Sequence, residues 1–449
     1  MGRLFGTDGA RGIANSELTC ELTMQIGRAA ALVLTKQTHR RPRFLIGMDT
    51  RVSSGMLEAC MVAGLASVGA DSILVGVVPT PAVAWLIGRM GADAGVMISA
   101  SHNPCEYNGI KLFDKNGYKL PDQTEEEIES IVLDGNSEMP IPLGGDLGRV
   151  TRDEEALELY IKHITSTTDE RFDGLHIALD CANGSAARTA EKLFRGLGAE
   201  CHMLSDEPDG VNINLNCGST HMEHLMQIVK LNGYDAGLAF DGDADRCLAV
   251  DRHGKLIDGD QIMAVLAKDL KVRGKLEHGT VVATVMSNIG FFHFGRNNGI
   301  AIEKTAVGDR YVLERMREAG YNIGGEQSGH IIFLDHATTG DGQLSGVQLL
   351  SCMKRQDKAL HELAGEMEKY PQVLENAAVS GKIKTTWQTD PEIQRVIRDA
   401  ERVLGDNGRI LVRASGTEPL IRVMIEGKDQ AAISDLAKEI AALIKSKDI

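Results

Sequence analysis

Three aspartates at alternate positions, Asp241, Asp243 and Asp245 in the segment DGDADR, are the strongest chemical signal in the sequence. In an extended loop, side chains two residues apart leave the same side of the backbone, so the three carboxylates converge. Carboxylates brought that close repel one another unless a hard cation neutralises them. An EF-hand loop also opens D-x-D-x-D, but it needs Gly at its sixth position and Glu at its twelfth, where this chain has Arg246 and Arg252. With no further carboxylates nearby the coordination sphere stays open, which suits magnesium sharing an oxygen of a bound phosphate. The competing reading is a solvated acidic turn. The apolar run 236–240, which feeds straight into the motif, weighs against it.

Five more segments carry reactive or anion-binding groups. ISASHNP (98–104) places Ser101 in a turn directly after an apolar strand. Alone, Ser-His-Asn-Pro is ordinary turn chemistry. Ser101 with neighbouring His102 does not define a hydrolase, because there is no G-x-S-x-G elbow and a base is recognised by geometry rather than adjacency. NGIK (108–111) ends in Lys111, a candidate acid, base or anion contact, and GTDGARG (6–12) is a glycine-rich turn carrying Arg11. In RASGTEPLIR (413–422), Gly416 permits close backbone approach and Ser415 and Thr417 offer hydroxyls. Arg413 and Arg422 offer planar forks that match phosphate oxygens. An ordinary hairpin loop reads this segment equally well. GGEQSGH (324–330) sets Glu326, Ser328 and His330 behind two glycines, a carboxylate and hydroxyl suited to sugar hydroxyls, with a capped helix start as the other reading.

Regular elements must hold these loops. Short β-branched runs alternate with amphipathic stretches, the pattern of parallel α/β units. Strands are expected at 43–49, 72–78 and 93–99, then 175–180, 201–204 and 235–240, then 280–285, 301–304 and 322–324, with helices between. From about 371 the order changes to strand, helix, two strands, helix, a smaller α+β domain. ISASHNP, DGDADR, GGEQSGH and RASGTEP each follow a strand, and ligand sites of open α/β sheets lie beyond the carboxyl ends of the strands. The chain has 449 residues, enough for three or four domains, and 43% of them are hydrophobic, enough to build cores. With 48 basic against 63 acidic residues the formal net charge is −15, which repels nucleic acids and anionic membranes, so an anionic substrate needs a local basic pocket. Eight scattered cysteines without C-x-x-C spacing read as buried, reduced thiols. The N-terminus lacks the apolar stretch of a signal peptide, Gly6 stands where a myristoylation signal wants Ser or Thr, and the longest uncharged run, 73–88, contains Pro79 and Pro81. The cytoplasm is the expected location.

Taken together and in order, GTDGARG, GVMISASHNP, NGIK, DGDADR, TAVGDRYV (305–312), GGEQSGH and RASGTEP resemble the α-D-phosphohexomutase family across essentially the whole chain. The GEQSGH form and the GDRYV segment point to its glucosamine branch rather than to glucose or mannose. Two departures stand out: Ala244 where the family commonly has Gly, and Ala414 where Pro is usual. Both concern loop geometry and not a ligand-bearing side chain.

The resemblance implies an α/β fold of three αβα-layered domains with mixed sheets plus a smaller C-terminal α+β domain around a central cleft. The expected divisions are 1–150 with the phosphoserine loop, 151–255 with the metal-binding loop, 256–370 with the sugar-binding loop and 371–449 with the phosphate-binding loop. The implied reaction interconverts glucosamine 6-phosphate and glucosamine 1-phosphate through a phosphoserine at Ser101 and a 1,6-bisphosphate intermediate, supplying amino-sugar nucleotide for cell-wall synthesis. Magnesium is implied on Asp241, Asp243, Asp245 and an oxygen of the Ser101 phosphate, with Arg246 adding positive charge. Lys111 and His330 are implied for proton transfer, with Arg11 near the transferring phosphate. Arg413, Ser415, Gly416, Thr417 and Arg422 are implied to hold the phosphate that is not reacting, and Glu326 and Ser328 to bind sugar hydroxyls. The expected cofactors are Mg2+ and glucosamine 1,6-bisphosphate or a similar hexose bisphosphate as activator. The expected partner is a hexosamine phosphate, with no nucleic acid and no membrane, and a homodimer is the candidate assembly. The alternatives are a glucose or mannose phosphate mutase, a magnesium-dependent sugar phosphatase that releases inorganic phosphate, and a non-catalytic sensor, which would need neither Ser101 nor all three aspartates.

Overall fold

The apolar runs that open the chain become strands buried on both faces, as parallel sheets with helices on each side require. In the computed structural model, which describes every residue except Met1, Thr7, Gln37, His39, 416–418 and Ile449, the first sheet contains β1 (Ala10–Ile13), β2 (Arg43–Met48), β3 (Asp71–Val77), β4 (Ala94–Ile98), β5 (Tyr107–Phe113) and β6 (Val150–Arg152). Their order is β1-β5-β4-β2-β3-β6. Phe44, Ile46, Val96 and Ile98 pack with Ile26, Leu57 and Met61 of the helices Cys20–Leu34 and Val52–Ser67 on one face. On the other face Gly47 and Gly95 make room for the helix Thr80–Arg89, since a Cβ at Gly47 would collide with Val83 and one at Gly95 with Ile87.

The second sheet contains β7 (His176–Asp180), β8 (Glu200–Leu204), β9 (Ala236–Phe240), β10 (Cys247–Asp251) and β11 (Leu256–Ile257) in the order β11-β10-β9-β7-β8. The third contains β12 (Thr280–Thr284), β13 (Ala301–Thr305), β14 (Ile323–Gly325) and β15 (Ile331–Phe333) in the order β13-β12-β14-β15.

One plan recurs in all three. Three parallel strands, β3-β2-β4, β8-β7-β9 and β13-β12-β14, are followed by an antiparallel strand beside the third: β5, β10 and β15. The loops ISASHNP, DGDADR and GGEQSGH are the three equivalent turns between the third and fourth strands, at the carboxyl ends of the parallel ones. The mixed strand directions agree with the expectation. The antiparallel β5, β10 and β15 and the edge strand β1 lay outside the parallel pattern read from hydrophobic runs.

These three sheets lie in one compact unit, residues 1–286 with 299–366; a second comprises 287–298 with 367–449. The second is the smaller α+β domain. Its antiparallel strands β16 (Gln372–Ala378), β17 (Gly408–Ala414) and β18 (Leu420–Gly427) run in the order β16-β18-β17. The helices Pro391–Leu404 and Gln430–Ser446 bury Ile393, Ile397, Ile433 and Ile440 against Ile421, Val423 and Ile425. Asp390 caps the first helix by accepting from the N–H groups of Glu392 and Ile393. Residues 287–298 join this unit because Glu426 accepts hydrogen bonds from Asn288 Nδ2 at 3.1 Å and the Ile289 N–H at 3.0 Å.

All eight cysteines are free thiols. Cys181, Cys217, Cys247 and Cys352 are buried; Cys20, Cys60, Cys105 and Cys201 are half-buried, so the expectation of burial holds for the first four. Among the described residues, no helix is long and apolar enough to cross a membrane.

Candidate active site

β4 delivers Ser101 into a buried position with φ of 51°, a left-handed backbone uncommon for a residue with a Cβ. Its Oγ donates to Asp241 Oδ2 at 2.5 Å. His102 Nδ1 lies 3.4 Å from the same Oγ, and burial together with the Arg246 and Arg11 charges pushes its pKa down to about 4. The serine proton therefore points to a carboxylate and not to an adjacent histidine base, which separates this site from a serine hydrolase.

Asp241, Asp243 and Asp245 are all buried, and one oxygen from each lies within 4.8 Å of the others. Burial first, then the charges of Asp245 and Asp243, push Asp241 well above the usual carboxylate range. Burial also opposes ionisation of the other two. Lys111 outweighs it at Asp243, and Lys111 with His330 outweighs it at Asp245, holding both below the ordinary range. Asp243 Oδ2 accepts from Lys111 Nζ at 2.7 Å and from Thr80 Oγ1 at 2.5 Å. Asp243 Oδ1 and Asp245 Oδ1 are buried without a hydrogen-bond partner. Orphaned carboxylate oxygens beside a third carboxylate are the donor set of a hard divalent cation, so these residues fit magnesium.

Lys111 comes from β5, whose antiparallel register sets it opposite Met97, one position from the end of β4. Burial works against its ammonium, but Asp243 and Asp245 outweigh this and hold its pKa above the ordinary value. It stands as a charged acid next to the carboxylates. Arg246 donates its backbone N–H to Asp241 Oδ1 at 3.2 Å, and its Nε, 3.9 Å from Asp245 Oδ1, is buried without a hydrogen bond. Arg11, on β1, donates to Asn103 Oδ1 at 3.3 Å and pairs with Asp8, leaving its own Nε buried and unpartnered. Two guanidinium edges beside Ser101 thus retain a donor for an anion.

His330 follows the turn after β14. Its Nδ1 lies 3.6 Å from Asp245 Oδ2, and its Nε2 lies 3.5 Å from Asp309 Oδ2 and accepts from the Gly340 N–H at 3.1 Å. Burial works against its imidazolium, but Asp245 and then Asp309 outweigh this and hold its pKa above the ordinary value. Glu326 Oε1 accepts from the Gly308 N–H at 3.1 Å, and Ser328 Oγ is buried without a partner.

In the second unit, Arg413 and Arg422 face each other across β17 and β18. Burial first, then the Arg422 charge, lower the Arg413 pKa. Like charges directly opposite on a sheet are unfavourable and are relieved by a shared anion. Ser415 is buried beside them; Gly416 and Thr417 lie outside the described residues.

The structure therefore brings Ser101, Lys111, Arg11, Arg246, His330 and the three aspartates into one cluster, with Glu326 and Ser328 on the His330 loop. It adds four residues that sequence reasoning did not single out. Thr80 holds Asp243, and Lys119 bridges Asp8 and Asp309 with hydrogen bonds of 2.7 and 2.6 Å. Although burial favours its neutral form, Lys119 and His330 hold Asp309 down at about 2. Asp8 and Asp309 sit inside quoted motifs, GTDGARG and TAVGDRYV, which was the signal available for them. Ala244, the departure within DGDADR, has φ of 56°. A glycine there would carry no Cβ penalty, so the loop keeps the conformation a glycine would favour at some local strain.

Fold and site together define a phosphoryl-handling α/β enzyme, and comparison with known proteins gives its class. The chain matches the phosphoglucomutase/phosphomannomutase alpha/beta/alpha domain I over residues 2–139, domain II over 158–254, domain III over 258–370 and the C-terminal domain over 374–443. The chain belongs to the phosphoglucomutase/phosphomannomutase family: it is a phosphohexomutase, an isomerase that moves phosphate within a sugar. It is 55% identical over 447 residues to the phosphoglucosamine mutase of Clostridium novyi (strain NT), covering 100% of this chain and 99% of that one. The phosphoglucosamine mutase of Clostridium acetobutylicum is also 55% identical over 447 residues, with 100% of both chains covered. In fold the chain is similar to a phosphoglucomutase/phosphomannomutase family protein from Burkholderia thailandensis, with a TM-score of 0.84, 23% identity and coverage of 100% and 99%. It is also similar to Aspergillus fumigatus N-acetylphosphoglucosamine mutase in complex with GlcNAc-6P and magnesium, with a TM-score of 0.70, 16% identity and coverage of 100% and 96%.

Proposed function

We propose that this chain interconverts glucosamine 6-phosphate and glucosamine 1-phosphate, with Ser101 carrying the phosphoryl group between turnovers. The observation that carries the reading is the placement of Ser101 Oγ, buried and 2.5 Å from Asp241 at the edge of a three-carboxylate cluster with Lys111 in contact. Full-length identity of 55% to proteins named phosphoglucosamine mutase supports the choice of sugar. Supply of amino-sugar nucleotide for cell-wall synthesis, a cytoplasmic location and a homodimer belong to the same proposal.

Phosphorylated Ser101 gives its phosphoryl group to the free hydroxyl of the substrate. The bond from Oγ to phosphorus breaks, a bond from the sugar oxygen to phosphorus forms, and the hydroxyl proton passes to a base. The resulting 1,6-bisphosphate turns end for end and returns its other phosphoryl group to Ser101, so a hexose bisphosphate serves as activator. Magnesium bound by Asp241, Asp243, Asp245 and a Ser101 phosphate oxygen would neutralise charge on the transferring group. Lys111, held as an ammonium by Asp243, supplies a proton to the Oγ that leaves, and His330 is the second proton-transfer group. Arg11 and Arg246, each with a buried Nε outside any hydrogen bond, bind the phosphoryl oxygens. Ser328 and the remaining oxygen of Glu326 bind sugar hydroxyls, and Arg413, Ser415, Gly416, Thr417 and Arg422 bind the phosphate at rest. The division into 1–150, 151–255, 256–370 and 371–449 assigns one loop to each task.

The ring binds in two orientations, so a contact dedicated to the 2-amino group would serve one half of the cycle only. Glu326 is therefore assigned to hydroxyls that glucosamine and glucose share. Glu326→Gln keeps an acceptor for Gly308 but loses the charge, and a charged hydrogen bond contributes about 1.5–3 kcal/mol, or roughly 10- to 100-fold. kcat/KM for glucosamine and glucose phosphates should fall together by that order. Loss of the glucosamine reaction alone would show that Glu326 reads the amine.

A further inference from the structure

The backbone of Ser101 is held by residues outside the Asp241, Asp243 and Asp245 cluster. Arg51, at the start of the helix Val52–Ser67, is buried, and its ion pair with Asp49 is closed at 2.8 Å with both side chains fully inaccessible. A guanidinium has five N–H donors. Here Nε goes to Asp49 Oδ2, Nη1 to the carbonyls of Pro104 and Tyr107, and Nη2 to those of Ser101 at 3.0 Å and Asn103 at 2.8 Å. Every donor is occupied, and none is left for a ligand. The Ser101 N–H donates to Ser99 Oγ at 3.0 Å, and Ser99 Oγ donates to Asp49 Oδ2 at 2.7 Å. Both ends of the Ser101 residue are thus tied to one Asp49–Arg51 pair.

A second tie comes from the region of the second sheet. Asn214 Nδ2 donates to the same two carbonyls, Ser101 at 2.9 Å and Asn103 at 3.0 Å. Gly242, between two of the aspartates, approaches so closely that a Cβ there would lie 2.5 Å from the Ser101 carbonyl oxygen. A buried ion pair is a poor device for stability, since apolar residues of similar volume often serve as well or better. A left-handed φ at a serine persists only where its surroundings impose it.

We infer that Arg51, fixed by Asp49 and joined by Asn214, is a positioning residue for phosphoryl transfer, holding the Ser101 backbone so that Oγ stays aimed at the three-carboxylate cluster. The inference rests on Ser101 as the phosphoryl carrier. Relaxing φ at Ser101 would swing Oγ away from Asp241, and a displacement of about 1 Å at a reacting atom costs on the order of 10²-fold in rate.

Two variants test this. Arg51→Lys keeps the charge beside Asp49 but cannot span four carbonyls; Asn214→Gly keeps the left-handed backbone at that position, where φ is 58°, and removes only the amide. kcat, KM, melting temperature and single-turnover transfer from phosphorylated Ser101 are measured for each and for wild type. The expected result is a kcat reduced on the order of 10²-fold for Arg51→Lys and roughly tenfold for Asn214→Gly, with KM little changed and slowed transfer from Ser101. If Arg51→Lys does not fold, Asn214→Gly decides alone. Unchanged kcat and transfer rate in Asn214→Gly, with wild type taking phosphate on Ser101, overturn the inference and leave the proposed function standing. Wild type that never takes phosphate on Ser101 overturns both.

Discussion

Ser101→Ala is expected to lose essentially all mutase activity, on the order of 10⁴-fold or more, as removal of a covalent nucleophile does. Among the described residues, Ser101 Oγ is the hydroxyl at hydrogen-bond distance from Asp241, at the turn after β4. The fold should survive. Alanine adopts the left-handed backbone about as readily as serine, and the change removes one hydrogen bond, about 1–3 kcal/mol at most for a buried group left unpaired. Asp241, already pushed well up by burial and its neighbours, can take a proton in compensation. Steady-state assay with added hexose bisphosphate, beside circular dichroism and a melting curve, makes the comparison. A folded variant with full activity would remove Ser101 from the reaction.

The second large effect belongs to the aspartates. Asp243→Asn preserves size but deletes a charge and turns an amide toward the donors Lys111 and Thr80. Cation neutralisation of a transferring phosphoryl group is worth several kcal/mol. With each 1.36 kcal/mol a factor of ten, kcat should fall on the order of 10²- to 10⁴-fold. Chelator should silence the wild type and added magnesium should restore it. The two treatments separate the alternatives: an enzyme indifferent to chelator would make the triad a structural cluster neutralised by Lys111.

Much of the site was legible because its chemistry lies in consecutive residues. DGDADR and ISASHNP each follow an apolar strand, so type, spacing and position pointed the same way. The hydroxyl and base roles around Ser101 were not separable by adjacency; geometry settled them by placing Oγ at 2.5 Å from Asp241 and 3.4 Å from His102. β5 escaped notice: Asn108 and Gly109 are not strand-type residues, yet they lie near the start of an antiparallel strand that sets Lys111 in place. Thr80 and Asp243 are 163 residues apart, and Lys119 and Asp309 190 apart; no local pattern announces such pairs. Arg51 was less visible still, since its partners are backbone carbonyls, which every sequence has. Residues 287–298 read as part of the third α/β region, yet Asn288 and the Ile289 N–H meet Glu426 and join them to the C-terminal unit. Asn288 also exchanges hydrogen bonds with the Tyr370 backbone, and Arg409 donates to the Ser287 carbonyl, so these ties all come from far along the chain.

In the proposed reaction Ser101 shuttles a phosphoryl group to a sugar and never to water. Enzyme carrying isotope-labelled phosphate on Ser101 is mixed with unlabelled glucosamine 6-phosphate, and the label is followed over a single turnover and beyond. Label should leave Ser101 at the catalytic rate and enter the sugar phosphates, first as bisphosphate and then as glucosamine 1-phosphate, with Ser101 rephosphorylated by unlabelled phosphate. Label appearing as inorganic phosphate at that rate, or remaining on Ser101 while glucosamine 1-phosphate accumulates, would contradict it.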